Sequence, residues 1–433
     1  MAIAAAAGVV AAAALLTLPA AEAACEAYPR FTPNSGRTTN EAWEADQFVE
    51  SIGVNLHLGD GRYVSEFAGT VKPRLAELGV RTVRTSSSAV FYDQDEVRQL
   101  GQAGIRFALA TGKQTNISRV VAAIKGAGPQ YIKFIEGLNE PESRHGCELG
   151  QSCWVQPTRE HQAELYNAIN GDPATQGILV LGPALKGVTL NYAPQMLGNI
   201  DALMDGHNMH RYPGANKNPE RTGRGGYLDP LAALLQYVGN ANKPAFLTET
   251  GYSTNAFGTS EAADAVYMPR LFLYNFDHGV AMTSKYQLLD TGASGSSDFE
   301  GNFGYIRSNN TPKPSFTAVK TLIGLLADRG SRFRPATLDY RLSGNTANVY
   351  KVLMQKRDGT FYLAMWVAKP IQGVTPQVVT LSVPDFINGA AQAKPNDSAV
   401  WSSLSLTSGQ INVVLDEKVT IVRLGNGTRP AQC

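Results

Sequence analysis

The sequence predicts an α/β protein, with a (β/α)8 TIM barrel over residues 50–330 and a smaller antiparallel β-sandwich domain over residues 331–433. Three observations lead to this prediction. Apolar strand-like runs alternate with helical patterns, which is typical of a parallel sheet covered by helices. After Arg329 the helical patterns stop and short β-type runs separated by turn signals follow. A chain of 433 residues has room for two cores, since single cores stop growing near ~250–300 residues.

The predicted barrel elements follow one another in strand–helix order. The strands cover residues 51–57, 80–85, 105–110, 131–135, 177–183, 204–210, 245–248 and 281–289. The helices cover residues 71–78, 95–103, 118–126, 158–169, 193–197, 228–238, 260–276 and 315–326. Because a barrel presents its site at the carboxyl ends of its strands, polar residues that follow a strand are candidates for chemistry.

The segments on either side of the barrel have a different texture. The C-terminal strands are predicted over residues 347–354, 360–367, 376–383 and 419–424. The lead segment, residues 25–49, is polar and rich in turns, and we expect it to add a strand or a loop to another domain. The C-terminal domain is expected to pack against the barrel. Carbohydrate binding is its alternative role, for which Trp366 and Trp401 are the only tryptophans available.

Residues 1–24 have the features of an export signal peptide. An apolar, Ala-rich run over residues 3–18 precedes an Ala-Glu-Ala cleavage-type triplet, although a basic start is missing. A membrane anchor is the alternative, but the run is short for a span of about 20 residues. A lipoprotein signal at Cys25 is disfavoured because Glu22 stands where an apolar residue is needed. We therefore expect a secreted or periplasmic protein with no stable membrane insertion after cleavage.

The chain contains four cysteines, and an even number in an exported protein favours disulfides. We predict the pairs Cys147–Cys153 and Cys25–Cys433, the second joining the two ends of the mature chain. A metal site is the alternative, but His145 alone does not complete a finger-like ligand set. The net charge of +1 gives no support to a nucleic-acid partner, whose binding face is usually basic.

Two glutamates follow predicted barrel strands. Glu140 stands in an Asn-Glu-Pro segment after the fourth strand, and Glu249 in a Thr-Glu-Thr-Gly-Tyr segment at the end of the seventh. Glycoside hydrolysis uses such a pair, because one carboxyl group protonates the leaving oxygen while the other attacks the sugar or activates water. Each residue taken alone also fits a solvated or ion-paired glutamate. Glu136 and Glu142 are nearby alternatives, and Glu136 shares the strand face of Glu140 if the strand continues.

These two segments, in this order and on strands of these ordinal numbers, resemble clan A of the glycoside hydrolases over residues 50–330. Family 39 and its relatives in this clan carry a C-terminal β domain as well. The resemblance implies a retaining mechanism, with Glu140 as the acid/base, Glu249 as the nucleophile and no cofactor. It also implies that Asn139 contacts the sugar 2-hydroxyl.

Further site residues are implied by the same resemblance. Tyr212, after the sixth strand, is expected to donate a hydrogen bond to the nucleophile, and Arg84, after the second, to support it. For Arg84 a surface salt bridge is the alternative. The remaining candidates for substrate contact are Asn55, His57, His210, Tyr252 and Tyr286. We predict no metal at His207 and His210, because strand geometry puts residues three apart on opposite faces.

We therefore predict a secreted retaining glycosidase that cleaves β-glycosidic bonds of an oligo- or polysaccharide, and we expect a monomer. One alternative is a carbohydrate-binding or cell-wall protein on a catalytically weak barrel. The other is a transglycosylase, which uses the same residues. The sequence lacks a dinucleotide-binding glycine motif, a Gly-x-Ser-x-Gly elbow and a phosphate-binding loop, so it gives no support to those enzyme classes.

Overall fold

A computed structural model describes residues 28–31, 40–144, 150–186, 192–221, 226–371, 374–425 and 431–432. The predicted export signal and Cys25, Cys147 and Cys433 lie outside these ranges. Cys153 is disulfide-bonded. Because the other three cysteines are outside the described residues, both predicted cysteine pairings stay predictions. In the described part of the chain no helix has the length and apolar character needed to cross a membrane.

The described chain opens with a short strand, a helix and then the strands of the barrel. The first two elements are β1 (Trp43–Glu44) and α1 (Ala45–Glu50). The barrel strands are β2 (Ile52–Asn55), β3 (Thr82–Ser86), β4 (Arg106–Thr111), β5 (Ile132–Leu138), β6 (Leu179–Leu181), β7 (Leu185–Lys186), β8 (His207–His210), β9 (Ala245–Thr250) and β10 (Val280–Lys285). All eight predicted strands are present, and β7 is a short addition.

The barrel strands form one parallel sheet in the order β6-β5-β4-β3-β2-β10-β9-β8-β7. A parallel bridge between Leu181 and Gly206 joins β6 to the segment that enters β8. The backbone N–H of Gly182 also donates to the carbonyl of Gly206 at 2.9 Å. These contacts connect the two ends of the strand order, so that the carboxyl ends of eight strands surround one mouth.

Helices cover the outside of the barrel. They are α2 (Gly61–Ser65), α3 (Lys72–Leu78), α4 (Ala89–Tyr92), α5 (Gln94–Gln102), α6 (Ile117–Ala127), α7 (Pro141–Arg144), α8 (Val155–Asn170), α9 (Ala193–Leu197), α10 (Asp229–Tyr237), α11 (Glu261–Asp277) and α12 (Pro314–Leu326). Each predicted helix is present, and the short α1, α2, α4 and α7 are additional. On α6 the apolar positions fall on one face, which lies buried, and Asn116 caps its first turn by accepting from the Arg119 N–H.

The barrel interior is filled by a small apolar cluster, and its end opposite the mouth is closed. The cluster contains Ala108, Phe134, Leu181, Phe246, Ala281 and Met282. The rings of Phe134 and Phe246 lie 5.2 Å apart, and Tyr28 packs 5.4 Å from Phe246. Next to Tyr28, the carbonyl of Arg30 passes so close to Gly279 that a Cβ there would lie 1.8 Å from it. The lead segment therefore seals the end of the barrel at which β10 begins.

The strands of the C-terminal domain form two facing sheets with an apolar core between them, except that the first and last strands pair with each other in a separate sheet. They are β11 (Phe333–Arg334), β12 (Arg341–Gly344), β13 (Val349–Gln355), β14 (Phe361–Val367), β15 (Gln377–Ser382), β16 (Ala390–Lys394), β17 (Ser398–Leu404), β18 (Leu406–Thr407), β19 (Gln410–Leu415), β20 (Thr420–Leu424) and β21 (Ala431–Gln432). The sheets have the orders β1-β13-β14-β20-β16-β17 and β12-β15-β19-β18. The four predicted strands correspond to β13, β14, β15 and β20. Strand β19 carries the alternating pattern of a half-buried strand and was overlooked. Most of the other strands are short or rich in Ala and Ser and form through pairing with their neighbours, which sequence patterns detect poorly.

The lead segment belongs to the β domain as well as to the barrel. Strand β1 pairs in parallel with β13, with Trp43 opposite Met354. The expectation that the lead adds a strand to another domain is therefore confirmed. Trp43 Nε1 also donates to Asp277 of α11 at 3.2 Å, so the same residue connects the two domains.

A buried ion pair fixes the β domain to the barrel. Arg270 of α11 donates from Nε and Nη2 to the two carboxylate oxygens of Glu220, at 2.7 and 2.5 Å. Trp366 of β14 donates to the same carboxylate at 2.7 Å, and Arg270 donates to the carbonyl of Lys369 at 3.0 Å. The Arg270 side chain is fully buried and that of Glu220 is 3% exposed. Neither charge has access to water, so each depends on the other.

Removing one member of this pair should therefore be costly. We expect Glu220→Ala to lower the free energy of unfolding by about 3–5 kcal/mol, because the Arg270 charge stays buried without a partner. Guanidinium chloride unfolding followed by circular dichroism measures this. The control is Lys418→Ala, which breaks a pair with side chains 34% and 50% exposed and should cost less than about 1 kcal/mol. Equal losses in the two variants would contradict a structural role for the buried pair.

Candidate active site

Glu249 lies at the carboxyl end of β9 with a hydrogen-bond donor on each carboxylate oxygen. Arg84 Nη1 donates to Oε1 at 2.6 Å, and the Tyr212 hydroxyl donates to Oε2 at 2.9 Å. His210 Nδ1 lies 3.3 Å from the same Oε2. The Glu249 side chain is only 12% exposed. The contacts predicted for Arg84 and Tyr212 are both present.

This environment keeps Glu249 ionised. Burial by itself raises the pKa of Glu249, and the charge of Glu140 acts in the same direction. His210, Arg84 and the hydrogen bond from Tyr212 outweigh both, so the pKa of Glu249 is below its ordinary value. Burial and the charge of Glu249 hold the pKa of Tyr212 well above its ordinary value, so its hydroxyl keeps the proton that it donates. An ionised, oriented carboxylate of this kind is suited to nucleophilic attack.

Glu140 leaves the end of β5 in an unusual backbone conformation. Its φ of 46° lies in the left-handed region, which non-glycine residues seldom adopt and which is often found at functional sites. The backbone N–H of Glu140 donates to the Ala184 carbonyl at 2.9 Å. Its side chain, 6% exposed, places Oε1 at 3.0 Å from His210 Nδ1 and Oε2 at 3.6 Å from Lys186 Nζ.

The two carboxylates face each other across a short gap. One oxygen of Glu140 and one of Glu249 lie within 4.8 Å of each other, and both are close to His210 Nδ1. Retaining glycosidases hold their carboxyl groups about 5–5.5 Å apart, whereas inverting enzymes need about 6.5–9.5 Å to admit a water molecule. Oxygens within 4.8 Å of each other are too close for the inverting arrangement and are compatible with the retaining one.

Beneath the two glutamates, Arg84 connects three barrel strands. Its Nε donates to Glu136 Oε1 at 2.9 Å and its Nη2 donates to Asn139 Oδ1 at 2.7 Å, in addition to the bond to Glu249. The side chains of Arg84 and Glu136 are 6% and 0% exposed. Arg84 is therefore a buried support of the site, and the alternative of a surface salt bridge is excluded. Asn139 also lies at the site, and its side-chain oxygen accepts the hydrogen bond from Arg84.

Glu136 is fixed from several sides and supports the site from below. Besides Arg84, its Oε2 accepts from Asn208 Nδ2 at 3.1 Å and lies 3.1 Å from Thr248 Oγ1. The nearest alternative to Glu140 is thus fully engaged in holding the guanidinium. Glu142, the other alternative, is 3% exposed and accepts from the backbone N–H of Lys186.

Strands β2 and β10 bring three of the predicted substrate contacts to the mouth. The His57 ring lies 5.4 Å from the ring of the partly exposed Tyr286 in an edge-to-face arrangement. Burial lowers the pKa of His57 and outweighs the charges of Asp60 and Glu249, which act in the opposite direction, so the ring is neutral near pH 7. Asn55 Nδ2 and His57 Nε2 are buried with no hydrogen-bond partner in the described part of the chain. Because neither nitrogen is exposed, the substrate contacts predicted for Asn55 and His57 stay predictions.

Tyr252 does not meet its predicted role. It is 2% exposed, its hydroxyl donates to the Lys217 carbonyl at 2.9 Å, and its ring packs 5.3 Å from that of Tyr267. Its ring therefore offers no face to a sugar. The turn at Gly251 directs Tyr252 away from the mouth and into the packing between the β9 loop and α11.

A buried lysine holds the loop that follows β10. Lys285 Nζ donates to the carbonyls of Phe303 and Tyr286, at 2.6 and 3.0 Å. Burial lowers the pKa of Lys285 to about 8. At Gly251, φ is 134° and a Cβ would lie 3.0 Å from the Lys285 side chain, so glycine is needed beside it. Lys285 thereby fixes Tyr286 next to the carboxylates.

Sequence reasoning missed Lys186, Asn208 and Thr248. Lys186 lies on β7, a two-residue strand with no pattern of its own, yet it places a half-exposed cation beside Glu140. Asn208 on β8 and Thr248 on β9 lie on the faces of their strands that point to the barrel interior, where polar residues are uncommon. The alternation of polar residues within apolar strands was the signal available in the sequence.

Glu140, His210 and Glu249 also form a geometry that is able to hold a metal ion. In this site the positive charge beside the carboxylates comes from Arg84 and Lys186. His207, the other histidine of β8, is directed elsewhere, with Nε2 at 3.0 Å from the Asn240 carbonyl. The two histidines therefore do not act as a pair.

Comparisons with known proteins identify the fold. No protein-family model matches the chain, and no curated protein is detectably similar in sequence. Among solved structures, a family 39 glycoside hydrolase from Bacteroides cellulosilyticus WH2 is 15% identical with a TM-score of 0.61, covering 88% of this chain and 83% of its own. A monomeric β-xylosidase from Caulobacter crescentus CB15 is 14% identical with a TM-score of 0.56, covering 91% and 97%. A glucosidase from Croceicoccus marinus is 13% identical with a TM-score of 0.52, covering 92% and 97%. The chain shares the fold of these enzymes across both domains, as the motifs predicted.

The pKa of Glu249 depends on the donors around it, so measuring this pKa in variants tests the described hydrogen bonds. We expect Arg84→Met to raise the pKa of Glu249, because the variant removes the positive charge and a donor while burial remains. Tyr212→Phe should raise it as well, since it removes the other donor. The 13C shift of the labelled Glu249 carboxyl, followed against pH, measures this. Arg98→Met is the control, because Arg98 pairs with exposed Asp95 and should leave the titration unchanged. An unchanged titration in both site variants would contradict the described hydrogen bonds.

Proposed function

We propose that the protein is a retaining glycosidase that cleaves β-glycosidic bonds of an oligo- or polysaccharide. The observation that carries this proposal is the pair Glu140 and Glu249, whose oxygens lie within 4.8 Å of each other at the mouth of the barrel. One carboxylate is held ionised by donors on both oxygens, and the other lies beside it on a different strand. The shared fold of the similar glycosidases supports the proposal.

The reaction proceeds in two displacements. Glu249 attacks the anomeric carbon while Glu140 gives its proton to the departing glycosidic oxygen, so a glycosyl ester forms as the bond to the leaving group breaks. Glu140, now a carboxylate, takes a proton from water. That water attacks the anomeric carbon, and Glu249 leaves as a carboxylate. Two inversions restore the original configuration, and both carboxyl groups return to their starting states.

We also propose that the protein is exported and acts as a monomer. The signal-like residues 1–24 and the disulfide-bonded Cys153 support export, because disulfides persist in oxidising compartments. The Caulobacter enzyme is described as a monomeric β-xylosidase, which supports a single-chain form for this fold. For the β domain we propose a structural role, because its Trp366 is fully buried and donates a hydrogen bond to Glu220 rather than offering its ring to a sugar.

Exposed aromatic rings on the mouth side favour a polymeric substrate. Phe299, in the loop after β10, is 53% exposed, and its ring lies 5.1 Å from that of Phe303. Phe303 in turn lies 5.4 Å from Tyr212, the donor to the nucleophile. A neighbouring loop, tied to this one by a bond from Ser253 to the Phe299 carbonyl, carries Phe257 with 81% exposure. The rings therefore continue from the site to the surface, where they offer apolar faces to further sugar units.

We expect Glu140→Gln and Glu249→Gln each to abolish hydrolysis of any glycan or aryl glycoside that the wild type cleaves. The rate of hydrolysis should fall by about 10²–10⁴-fold or more, because 10²–10⁴-fold is the usual contribution of a positioned acid or base. Reducing-sugar release from a panel of β-linked polysaccharides, beside aryl glycosides, measures this. Glu142→Gln is the matched control and should retain activity. If either site variant keeps the wild-type rate, the assigned carboxylate is wrong.

Retention is tested separately on the same substrate. Proton NMR of the first product formed should show the β-anomer before it equilibrates in water. A first product in the α-configuration would overturn the covalent mechanism. A longer oligosaccharide as the main product would identify the acceptor as a sugar, which is transglycosylation with the same two residues.

Phe299→Ala tests the polymer assignment. We expect KM for a polysaccharide to rise about 2–10-fold, from the loss of one stacking contact of about 0.5–1.5 kcal/mol. KM for an aryl glycoside and kcat for both substrates should stay near their wild-type values, because the ring lies beyond Phe303. Equal effects on the two substrates would place Phe299 in the catalytic site. They would contradict its proposed role as a stacking surface for further sugar units.

A further inference from the structure

A cavity of about 570 Å³ lies between α12 and the six-stranded sheet of the β domain. Its lining includes Lys320 and Gly324 from the barrel and Lys356, Tyr362, Trp401 and Arg423 from the β domain. Volumes of about 300–1,000 Å³ are typical of sites for small molecules. We refer to this space as the interdomain cavity.

The sheet register brings the aromatic and basic residues to one place. Tyr362 of β14 is directly opposite Arg423 of β20, so their side chains share a face. Trp401, on the edge strand β17, lies 6.0 Å from Tyr362 between ring centroids. On the facing helix Gly324 leaves the space open, because a Cβ there would meet nothing within 4 Å.

The charge of the interdomain cavity is positive, and among the described residues no Asp or Glu lines it. Lys320 is paired with Glu77 at 2.8 Å, outside the lining. Arg423 stacks on the Trp401 ring at 4.9 Å and has no ion pair or hydrogen bond among the described residues. Lys356 lies over the Tyr362 ring at 4.8 Å and donates to the Leu325 carbonyl at 2.9 Å.

Lys356 and Arg423 repel each other across this space. Burial is the largest cause of the lowered pKa of Lys356, and the charge of Arg423 acts in the same direction. Asp328, Asp358 and Asp46 act in the opposite direction, but none of them lines the cavity. An anion bound between the two cations would remove the repulsion and give the Arg423 guanidinium a carboxylate partner, which it binds in a bidentate manner.

The interdomain cavity is separate from the barrel mouth. In a (β/α)8 barrel each strand runs towards the mouth and the following helix runs back. Lys320 and Gly324 are in the C-terminal half of α12, so they lie towards the closed end of the barrel. A ligand in the cavity therefore leaves the two catalytic glutamates accessible.

We propose that the interdomain cavity is a second, non-catalytic saccharide site that binds an acidic oligosaccharide through uronate units. A uronate carboxylate bridges Arg423 and Lys356, while an apolar sugar face packs on the partly exposed Trp401. A neutral sugar would use this ring and give neither cation an anionic partner, so charge decides the ligand class. This proposal rests on the proposed glycosidase function and adds a site that holds the polymer. The experiment below distinguishes failure of the second-site proposal from failure of the glycosidase proposal.

Trp401 provides the signal for the test. Of the four tryptophans, Trp43, Trp154 and Trp366 are buried at 9%, 1% and 0% exposure, whereas Trp401 is partly exposed. Full-length protein carrying both Glu140→Gln and Glu249→Gln is titrated with tetragalacturonate, and in parallel with cellotetraose. We expect a saturable change in tryptophan fluorescence with the uronate, and binding that weakens as salt is added.

Two variants locate the binding. Arg423→Gln should weaken tetragalacturonate binding about tenfold or more, since it removes a charge-assisted contact. Trp401→Phe should remove the fluorescence change while calorimetry still detects binding. Lys418→Gln, a surface cation outside the lining, is the matched control, and circular dichroism checks that each variant is folded.

Several results would overturn the proposal. They are no saturable binding of the uronate, equal binding of cellotetraose, binding that Arg423→Gln does not change, and tighter binding of a short single-stranded oligonucleotide. Failure of the glycosidase proposal is seen elsewhere, in unchanged turnover of the single glutamate variants. Arg423→Gln with both glutamates intact should hydrolyse a small aryl glycoside at the wild-type rate.

Discussion

The buried guanidinium of Arg84 is the charge on which the rest of the site depends. It lies on β3 and donates to Glu136 on β5, to Asn139 after β5 and to Glu249 on β9. A cation taken out of water is tolerated only if anions and acceptors surround it. The same guanidinium charge that Glu136 and Glu249 balance is what keeps Glu249 ionised. Stability and readiness for nucleophilic attack therefore come from one set of contacts.

The division of labour between Glu136 and Glu140 follows from the backbone. Residues two apart on a strand share a face, so a continued strand would place both side chains on the same side. The strand ends at Leu138, and Glu140 adopts a φ of 46° after it. This turn lifts Glu140 out of the strand register towards His210, while Glu136 stays in the interior with Arg84. A strained residue at the strand end thus separates the carboxyl group proposed to react from the supporting one.

The sequence was informative where a segment carries its own signal. Several barrel strands contain apolar runs because parallel strands are buried on both faces, and all eight were predicted, including the more polar β3 and β8. Glu140 and Glu249 were found because their flanking residues form a recognisable motif. Lys186 and the strands β16 and β17 were not found, because a two-residue strand and an Ala- and Ser-rich hairpin are held by their neighbours. Tyr252 was misjudged for a related reason, since proximity to Glu249 in sequence does not determine which way a turn directs a side chain.

The short distance between the two carboxylates has a consequence for both halves of the proposed reaction. The charge of Glu140 opposes the ionisation of Glu249, and such repulsion is mutual. Arg84, His210 and Tyr212 favour the ionised form of Glu249, and the charge of Glu249 in turn acts against ionisation of Glu140, the residue proposed to act as the acid. When Glu249 becomes a glycosyl ester its charge is lost, and the repulsion that favoured the proton on Glu140 is lost with it. The same residue is then favoured as a carboxylate, beside Lys186, at the step that requires a base. In the proposed reaction, one pair of glutamates with oxygens within 4.8 Å of each other therefore provides first the acid and then the base.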